Sequence, residues 1–280
     1  MVLVGTRNPL NIGAAARAMS NFGVRQLRLV KPYEKAFREA RSAVGAADIL
    51  ADAREFDSVA DAIADCSLVV GTTAGRRREL HHAAYRVEQG AELLRAHLAS
   101  AGAAMLFGSE SYGLSTSDLS YCHWTMSIAT PGSNASLNLG QAVAVCLHEL
   151  MRSGAAGANV AGVAQRKKQV PPLRSLRSAP VGMTESDDSL RSSAGIADVG
   201  DGVEAGRVDL ASSEQVDRTT ETLFEVLRET RYWNPGSGAG TEEKVRRLVR
   251  RLRLSGEDAD VVLGMCRQIL WRIRKGGGRE

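Results

Sequence analysis

The residues best suited to chemistry lie in four short polar segments, each of which contains or follows the end of an apolar run. Their glycines allow the backbone to approach a ligand closely. Two of the segments run into helical patterns, and the N-terminus of a helix offers free N–H groups to an anionic ligand. Parallel α/β sheets bind ligands beyond the carboxyl ends of their strands, so we expect all four segments at one sheet edge. They are residues 5–13, 71–75, 107–114 and 128–138.

Several enzyme classes are disfavoured because the sequence lacks the motifs that they require. No G-x-G-x-x-G follows the first apolar run, and no G-x-x-x-x-G-K-[ST] occurs. Their absence argues against a Rossmann dehydrogenase, a Rossmann-type methyltransferase and a P-loop NTPase. Ser111 lies beside Glu110 but outside a G-x-S-x-G elbow, which argues against a serine hydrolase. Cys, His, Asp and Glu show no metal-ligand spacing, so no metal site is predicted.

The elements that must position these segments alternate between strands and helices. The strands are continuous apolar runs, which is typical of a parallel sheet covered by helices on both faces. Ser115 and Asp118 have the spacing of a capping box and predict a short helix after them. The sequence therefore predicts an α/β fold with a parallel sheet. The predicted strands are 2–4, 27–30, 68–70, 103–107 and 125–129, and the predicted helices are 12–22, 59–64, 87–98 and 137–151.

The composition divides the chain into three parts. Residues 1–153 carry the strand–helix alternation. Residues 154–213 are rich in Ala, Gly and Ser without a sustained period, which predicts a flexible linker. Residues 214–280 return to helical spacing, with a capping box at Ser255 and Asp258, and predict a helical C-terminal extension.

Charge is distributed in blocks that the net value of +4 over 280 residues conceals. Basic blocks at 1–40, 163–180 and 241–280 are partly balanced by an acidic block at 183–229. The pattern leaves open whether the basic run at 246–253 is a solvated helix face or contacts RNA or a second subunit. No membrane-spanning run or signal peptide is evident, and the four cysteines form no C-x-x-C pair. These features predict a cytoplasmic protein with reduced thiols and no membrane partner.

Three motifs occur in a fixed order along the strand ends. They are Asn11-x-Gly13-x-x-x-Arg17, Phe107-Gly108-x-Glu110-x-x-Gly113-Leu114 and Ser136-Leu137-Asn138. Together they resemble the motifs of the SpoU/TrmH branch of the SPOUT RNA methyltransferases. The helical tail resembles the C-terminal extension of the TrmJ-type tRNA ribose methyltransferases within that branch, although the long linker departs from their compact pattern. The resemblance implies a parallel sheet with a C-terminal trefoil knot and a homodimer.

The resemblance also implies a cofactor, a reaction and a set of site residues. The cofactor is S-adenosyl-L-methionine, and the reaction is metal-free methylation of an RNA ribose 2′-hydroxyl. The implied substrate is tRNA at anticodon-loop nucleotide 32; the alternatives are ribosomal RNA methylation and a non-catalytic RNA-binding protein. The implied catalytic residues are Arg17, Asn11, Glu110 and Asn138. The implied cofactor-binding residues are Thr72, Thr73, Ala74, Gly108, Glu110, Gly113, Leu114, Ile128, Ser136, Leu137 and Asn138.

Arg17 suits this chemistry through its permanent charge. A guanidinium stays protonated in proteins, so Arg17 is poorly suited to act as a general base. It can stabilise the alkoxide that develops on the ribose, or it can anchor a neighbouring RNA phosphate. The identity of the proton acceptor stays open. Arg7 and Arg17 are the predicted RNA contacts, because both lie in the basic block at 1–40. Asn138 can also cap a helix, which is compatible with cofactor binding.

Overall fold

The computed structural model describes residues 1–33, 43–74, 82–130, 136–152, 209–232 and 238–276. Within these ranges the strands are β1 Val2–Val4, β2 Arg28–Val30, β3 Arg54–Phe56, β4 Leu68–Thr72, β5 Ala84–Arg86, β6 Ala103–Phe107 and β7 Trp124–Ser127. These seven strands form one sheet with the order β3-β2-β1-β6-β4-β7-β5. All six pairings between neighbouring strands are parallel. The predicted parallel α/β sheet is confirmed.

Helices cover both faces of the sheet. Alternate residues of a strand point to opposite faces. The helices are α1 Pro9–Asn21, α2 Ala47–Ala51, α3 Val59–Ile63, α4 Val87–Leu98, α5 Thr116–Ser120, α6 Leu139–Arg152, α7 Ser213–Glu229, α8 Gly238–Leu252 and α9 Gly256–Gly276. Leu3 of β1 joins a core with α1, α4 and α6, whereas the adjacent Val2, on the opposite face, joins a second core with α3 and α5.

Helices α1 and α6 pack closely because small residues meet between them. A Cβ atom at Gly140 would lie 2.7 Å from the Cβ atom of Ala14. Real Cβ atoms do not approach so closely, so this contact requires glycine at 140. The close packing brings the N-terminal ends of the two helices together, and each of these ends carries part of a sequence motif.

Of the predicted linker at 154–213, residues 154–208 lie outside the described residues. The described tail packs on the α/β part of the chain through the start of α7. The Ser213 N–H and hydroxyl both donate to the Cys66 carbonyl oxygen, at 2.8 Å and 2.7 Å. The Glu214 N–H donates to the Ala64 carbonyl oxygen at 3.1 Å. These bonds fix the N-terminus of α7 to the segment that follows α3.

The basic run in α8 faces inward through three of its arginines. Arg246, Arg247 and Arg250 are buried, and Arg250 is 0% exposed. Arg246 lies 4.6 Å from the ring centroid of Tyr121, at the end of α5, and pairs with Glu221 at 3.1 Å. A solvated helix face, one of the alternatives left open from the sequence, is therefore wrong for these three side chains. The burial of Arg246 and Arg250 is possible because acidic and aromatic partners surround these two guanidinium groups.

Among the described residues, no helix combines the length and the apolar character that crossing a bilayer requires. Within the same residues, no group of three or more His, Cys, Asp or Glu side chains is arranged to hold a metal ion.

Candidate active site

The sheet order brings the polar segments together at one edge. Strands β1, β6, β4 and β7 are consecutive neighbours, and their pairings are parallel. Their carboxyl ends therefore point the same way, and the segments that follow them lie side by side. These segments carry Asn11, the loop at 108–114, the loop at 72–74 and Ile128. The predicted convergence of the motifs is thus a property of the strand order.

A chain of hydrogen bonds joins the three motifs directly. The Asn11 Nδ2 group donates to Glu110 Oε1 at 2.7 Å. The Asn138 Nδ2 group donates to Asn11 Oδ1 at 3.0 Å. Asn11 thus donates to one motif and accepts from the other, which fixes the orientation of its side-chain amide. The structure brings these three predicted residues into one network.

Asn11 is positioned by the beginning of α1. The helix begins at Pro9, three residues before the predicted start, so Asn11 lies in its first turn. The Asn8 side chain caps the helix by accepting from the Leu10 N–H at 2.9 Å. Proline suits this position because its fixed φ matches the helix and its missing N–H would have no intrahelical partner. The cap therefore fixes the position on the helix from which the Asn11 side chain extends.

Asn138 is positioned by the beginning of α6. Its Oδ1 atom accepts from the Gly140 N–H at 2.9 Å, and its own N–H donates to Gln141 Oε1 at 3.3 Å. The side chain caps the helix through oxygen while it binds Asn11 through nitrogen. Asn138 therefore caps α6, as the sequence suggested, and also belongs to the hydrogen-bond network.

A tight turn between β6 and α5 positions Glu110. A Cβ atom at Gly108 would lie 2.0 Å from the Gly113 carbonyl carbon and 2.1 Å from the Leu114 nitrogen, so only glycine fits. Gly113 adopts a φ of +68°, which favours glycine. Its N–H donates to the Ser109 carbonyl oxygen at 2.8 Å, which closes the turn. The buried Leu114 then anchors the turn to the core.

The loop after β4 is tied to both neighbouring strands. The Thr72 hydroxyl donates to the Leu106 carbonyl oxygen at 2.8 Å, and the Thr73 N–H donates to the Met126 carbonyl oxygen at 2.9 Å. Ala74 and Ser136 are exposed, whereas Ile128 and Leu137 are half-buried. These predicted cofactor residues thus lie on the same edge as the hydrogen-bond network, with backbone and small side chains at its surface.

Neither predicted RNA contact belongs to the network. Arg17 is exposed on α1, about 9 Å along the helix axis from Asn11, and no ion pair joins it to another described residue. Its charge is therefore available to a ligand. Arg7 is also exposed, and its guanidinium carbon lies 6.0 Å from the centroid of the Tyr33 ring.

Three supporting residues were missed in the sequence analysis. Asn8 could have been found from the Asn-Pro pair that opens α1. Gln141 has the three-residue spacing of a capping partner for Asn138, and this signal was available too. Gly71 gave no local signal: a Cβ atom there would lie 2.9 Å from Cys122 Sγ, a residue distant in sequence.

The model of the SpoU rRNA Methylase family matches residues 1–148, which include all three motifs. The chain belongs to this family. A Haemophilus influenzae relative, named an uncharacterized tRNA/rRNA methyltransferase, is 38% identical over 54% of this chain and 61% of its own length. The chain therefore spans less than two thirds of the length of that relative.

Other relatives match the tail as well. A Klebsiella pneumoniae protein named tRNA (cytidine/uridine-2′-O-)-methyltransferase TrmJ is 28% identical over 96% of this chain and 95% of its own. The crystal structure of TrmJ from Z. mobilis ZM4 has a TM-score of 0.71 at 24% identity, covering 96% of this chain and 97% of its own. The latter likeness shows that the fold is shared.

Proposed function

We propose that this chain transfers a methyl group from S-adenosylmethionine to a ribose 2′-hydroxyl of tRNA. The observation that carries the proposal is the hydrogen-bond network of Asn11, Glu110 and Asn138, which unites the three family motifs at one sheet edge. Relatives named as TrmJ that match almost the whole chain support tRNA as the substrate. The proposal includes anticodon-loop nucleotide 32 as the target and a cytoplasmic homodimer with a trefoil knot as the working form.

The residues at this edge fit the proposed cofactor. Gly108 packs directly on the backbone of 113–114, so no side chain at 108 obstructs this part of the edge. The loops at 72–74, 108–114 and 136–138, together with Ile128, would hold the cofactor. Backbone groups and amide side chains suit the uncharged polar groups of an adenosyl moiety. When bound, S-adenosylmethionine supplies an electrophilic methyl group.

Arg17 carries the charge that the reaction requires. A ribose hydroxyl develops negative charge as it loses its proton and attacks, and a nearby guanidinium lowers the free energy of that state. Arg17 keeps its own proton, so the hydroxyl proton passes to a different acceptor. The network of Asn11, Glu110 and Asn138 acts as a positioning device, because it holds the beginning of α1 against the 108–114 turn. Precise positioning alone contributes several kcal/mol in such reactions.

The reaction and its substrate can be tested together. The protein would be incubated with radiolabelled S-adenosylmethionine and either tRNA or ribosomal RNA, and the labelled ribose would be mapped. We expect label on the 2′-oxygen of tRNA nucleotide 32. Label confined to ribosomal RNA would show that the substrate assignment is wrong. Cofactor binding without label in either RNA would contradict the proposed enzyme and favour a non-catalytic RNA-binding protein.

The role of Arg17 has its own test. Replacing Arg17 with alanine should lower turnover by about 100-fold or more, because it removes a charge that acts in the transition state. The dissociation constant for S-adenosylmethionine, measured by calorimetry, should stay within about twofold, because the implied cofactor loops do not include Arg17. Arg218→Ala, an exposed arginine on α7, is the matched control and should leave turnover unchanged. Wild-type turnover in Arg17→Ala would exclude Arg17 from the reaction.

A further inference from the structure

An exposed aromatic ring and a cation lie together beside the candidate active site. The Tyr33 side chain is 71% exposed, and the guanidinium carbon of Arg7 lies 6.0 Å from its ring centroid. We propose that Tyr33 and Arg7 form a stacking site for one nucleobase of the RNA substrate. This inference rests on the proposed function, because it identifies how the same site holds its substrate.

Backbone contacts place Tyr33 next to the loop that leads into the first motif. Strands β1 and β2 pair in register, with Val4 opposite Val30, so the segments that follow them are neighbours. The Tyr33 N–H donates to the Thr6 carbonyl oxygen at 3.3 Å. The chain continues from Thr6 through Arg7 directly into α1, whose first turn holds Asn11. Tyr33 is therefore attached to the loop that leads to the hydrogen-bond network.

An unusual backbone conformation precedes Tyr33. Lys31 adopts a φ of +47°, a left-handed conformation that non-glycine residues rarely take. Its N–H donates to the Phe56 carbonyl oxygen of β3 at 3.0 Å, which holds this conformation in place. Strained residues of this kind concentrate at ligand-binding sites, where the surrounding structure maintains them. Here the strained residue turns the chain where β2 ends, two residues before the exposed ring.

The chemistry of the pair fits a nucleobase. Every base has a flat π face that stacks on an aromatic ring or a guanidinium plane, and single-stranded RNA presents its bases in this way. Arg7 beside the ring and the following residue, Asn8, are polar and exposed, so this surface offers little apolar area to a protein partner. The ring supplies stacking area, while the cation of Arg7 attracts the phosphate backbone.

Substitutions at Tyr33 test the stacking site. Tyr33→Ala should raise both the dissociation constant and the KM for the RNA substrate by about 5- to 150-fold, the range observed for loss of one stacked base. Tyr33→Phe keeps the ring and should stay within about twofold of wild type. Tyr33→Leu keeps an apolar side chain of similar bulk without a planar face, and should resemble Tyr33→Ala. In all three variants, affinity for S-adenosylmethionine should not change.

The controls separate this inference from general effects. Tyr232, which is 76% exposed after α7, is the matched tyrosine, and Tyr232→Ala should bind RNA like wild type. Equal RNA affinity in wild type and Tyr33→Ala, or equal weakening by Tyr33→Ala and Tyr232→Ala, would overturn the stacking site. Because these comparisons use an RNA that the wild-type protein methylates, their failure leaves the proposed function intact. A wild-type protein that methylates no RNA would instead refute the proposed function.

Discussion

Replacing the buried Arg250 with methionine should lower the free energy of unfolding by about 3 kcal/mol. The Arg250 side chain is 0% exposed, and its Nη2 atom lies 2.7 Å from Asp217 Oδ1. Its Nη1 group donates to the Ser213 hydroxyl at 3.0 Å, which in turn binds the segment after α3. Methionine fills a similar volume but leaves Asp217 without its cation. Removing one member of a buried ion pair costs about 3–5 kcal/mol.

We expect the loss of unfolding free energy in Arg250→Met to lie at the lower end of that range. The Asp217 side chain retains 17% exposure, so water reaches it in part. Burial raises the pKa of Asp217, and the guanidinium of Arg250 opposes that rise. Without Arg250 the pKa of Asp217 rises further, and the carboxyl group can take up a proton instead of remaining charged. The loss in Arg250→Met should therefore shrink as the pH is lowered, because protonation removes the unpaired charge.

Urea unfolding at pH 7, followed by circular dichroism, measures this difference. The control is Arg274→Met, which removes an exposed ion pair with Glu225 (60% and 51% exposed) and should cost at most about 1 kcal/mol. The double variant Arg250→Met with Asp217→Asn should recover part of the loss, because no unpaired charge remains buried. A loss in Arg250→Met no larger than that in Arg274→Met would refute the reasoning.

Two further changes test the cofactor turn and a half-buried imidazole. Gly108→Ala should weaken S-adenosylmethionine binding at least about tenfold by calorimetry, because its Cβ atom would lie 2.0 Å from the Gly113 carbonyl carbon. The control is Gly264→Ala, because position 264 has open space around it. Equal affinities in the two variants would contradict the predicted clash at residue 108. Burial, assisted by Arg250, lowers the pKa of His123 to about 3 from 6.5. The unfolded chain therefore binds a proton that the folded chain excludes, and stability should fall by about 1 kcal/mol per pH unit from pH 6.5 towards 3. His123→Gln should flatten this decline in urea titrations, and an unchanged slope would count against a neutral His123.

The interior of the sheet could be predicted from the sequence, whereas its edges could not. β1, β2, β4, β6 and β7 are mostly apolar and mostly buried, and all were predicted to within two residues at each end. β3, with the sequence Arg-Glu-Phe, and β5, with Ala-Tyr-Arg, were missed. Each is an edge strand of three residues with exposed side chains, so neither shows the apolar run that marks a central strand.

The motifs could be predicted from the sequence, but the contacts between them could not. Asn11 and Asn138 are separated by 127 positions, and only the strand order and the α1–α6 packing bring them together. Arg250 shows the same limit. Charge patterning treats a basic run on a helix as a solvated or binding surface. Its burial depends on Asp217 and on the Tyr121 ring, 5.7 Å away, both on other helices.

The strand order also has a consequence for the kinetics of folding. β1 pairs on one side with β6, so that residue 2 lies opposite residue 106. Contacts this distant along the chain require a large loop to close before they contribute stability, and they slow folding. The hydrogen bonds of the first motif can therefore form only after the second and third motifs have been synthesised and folded against it. A nascent chain that has not reached Asn138 can hold separate strands and helices, but its binding edge is incomplete.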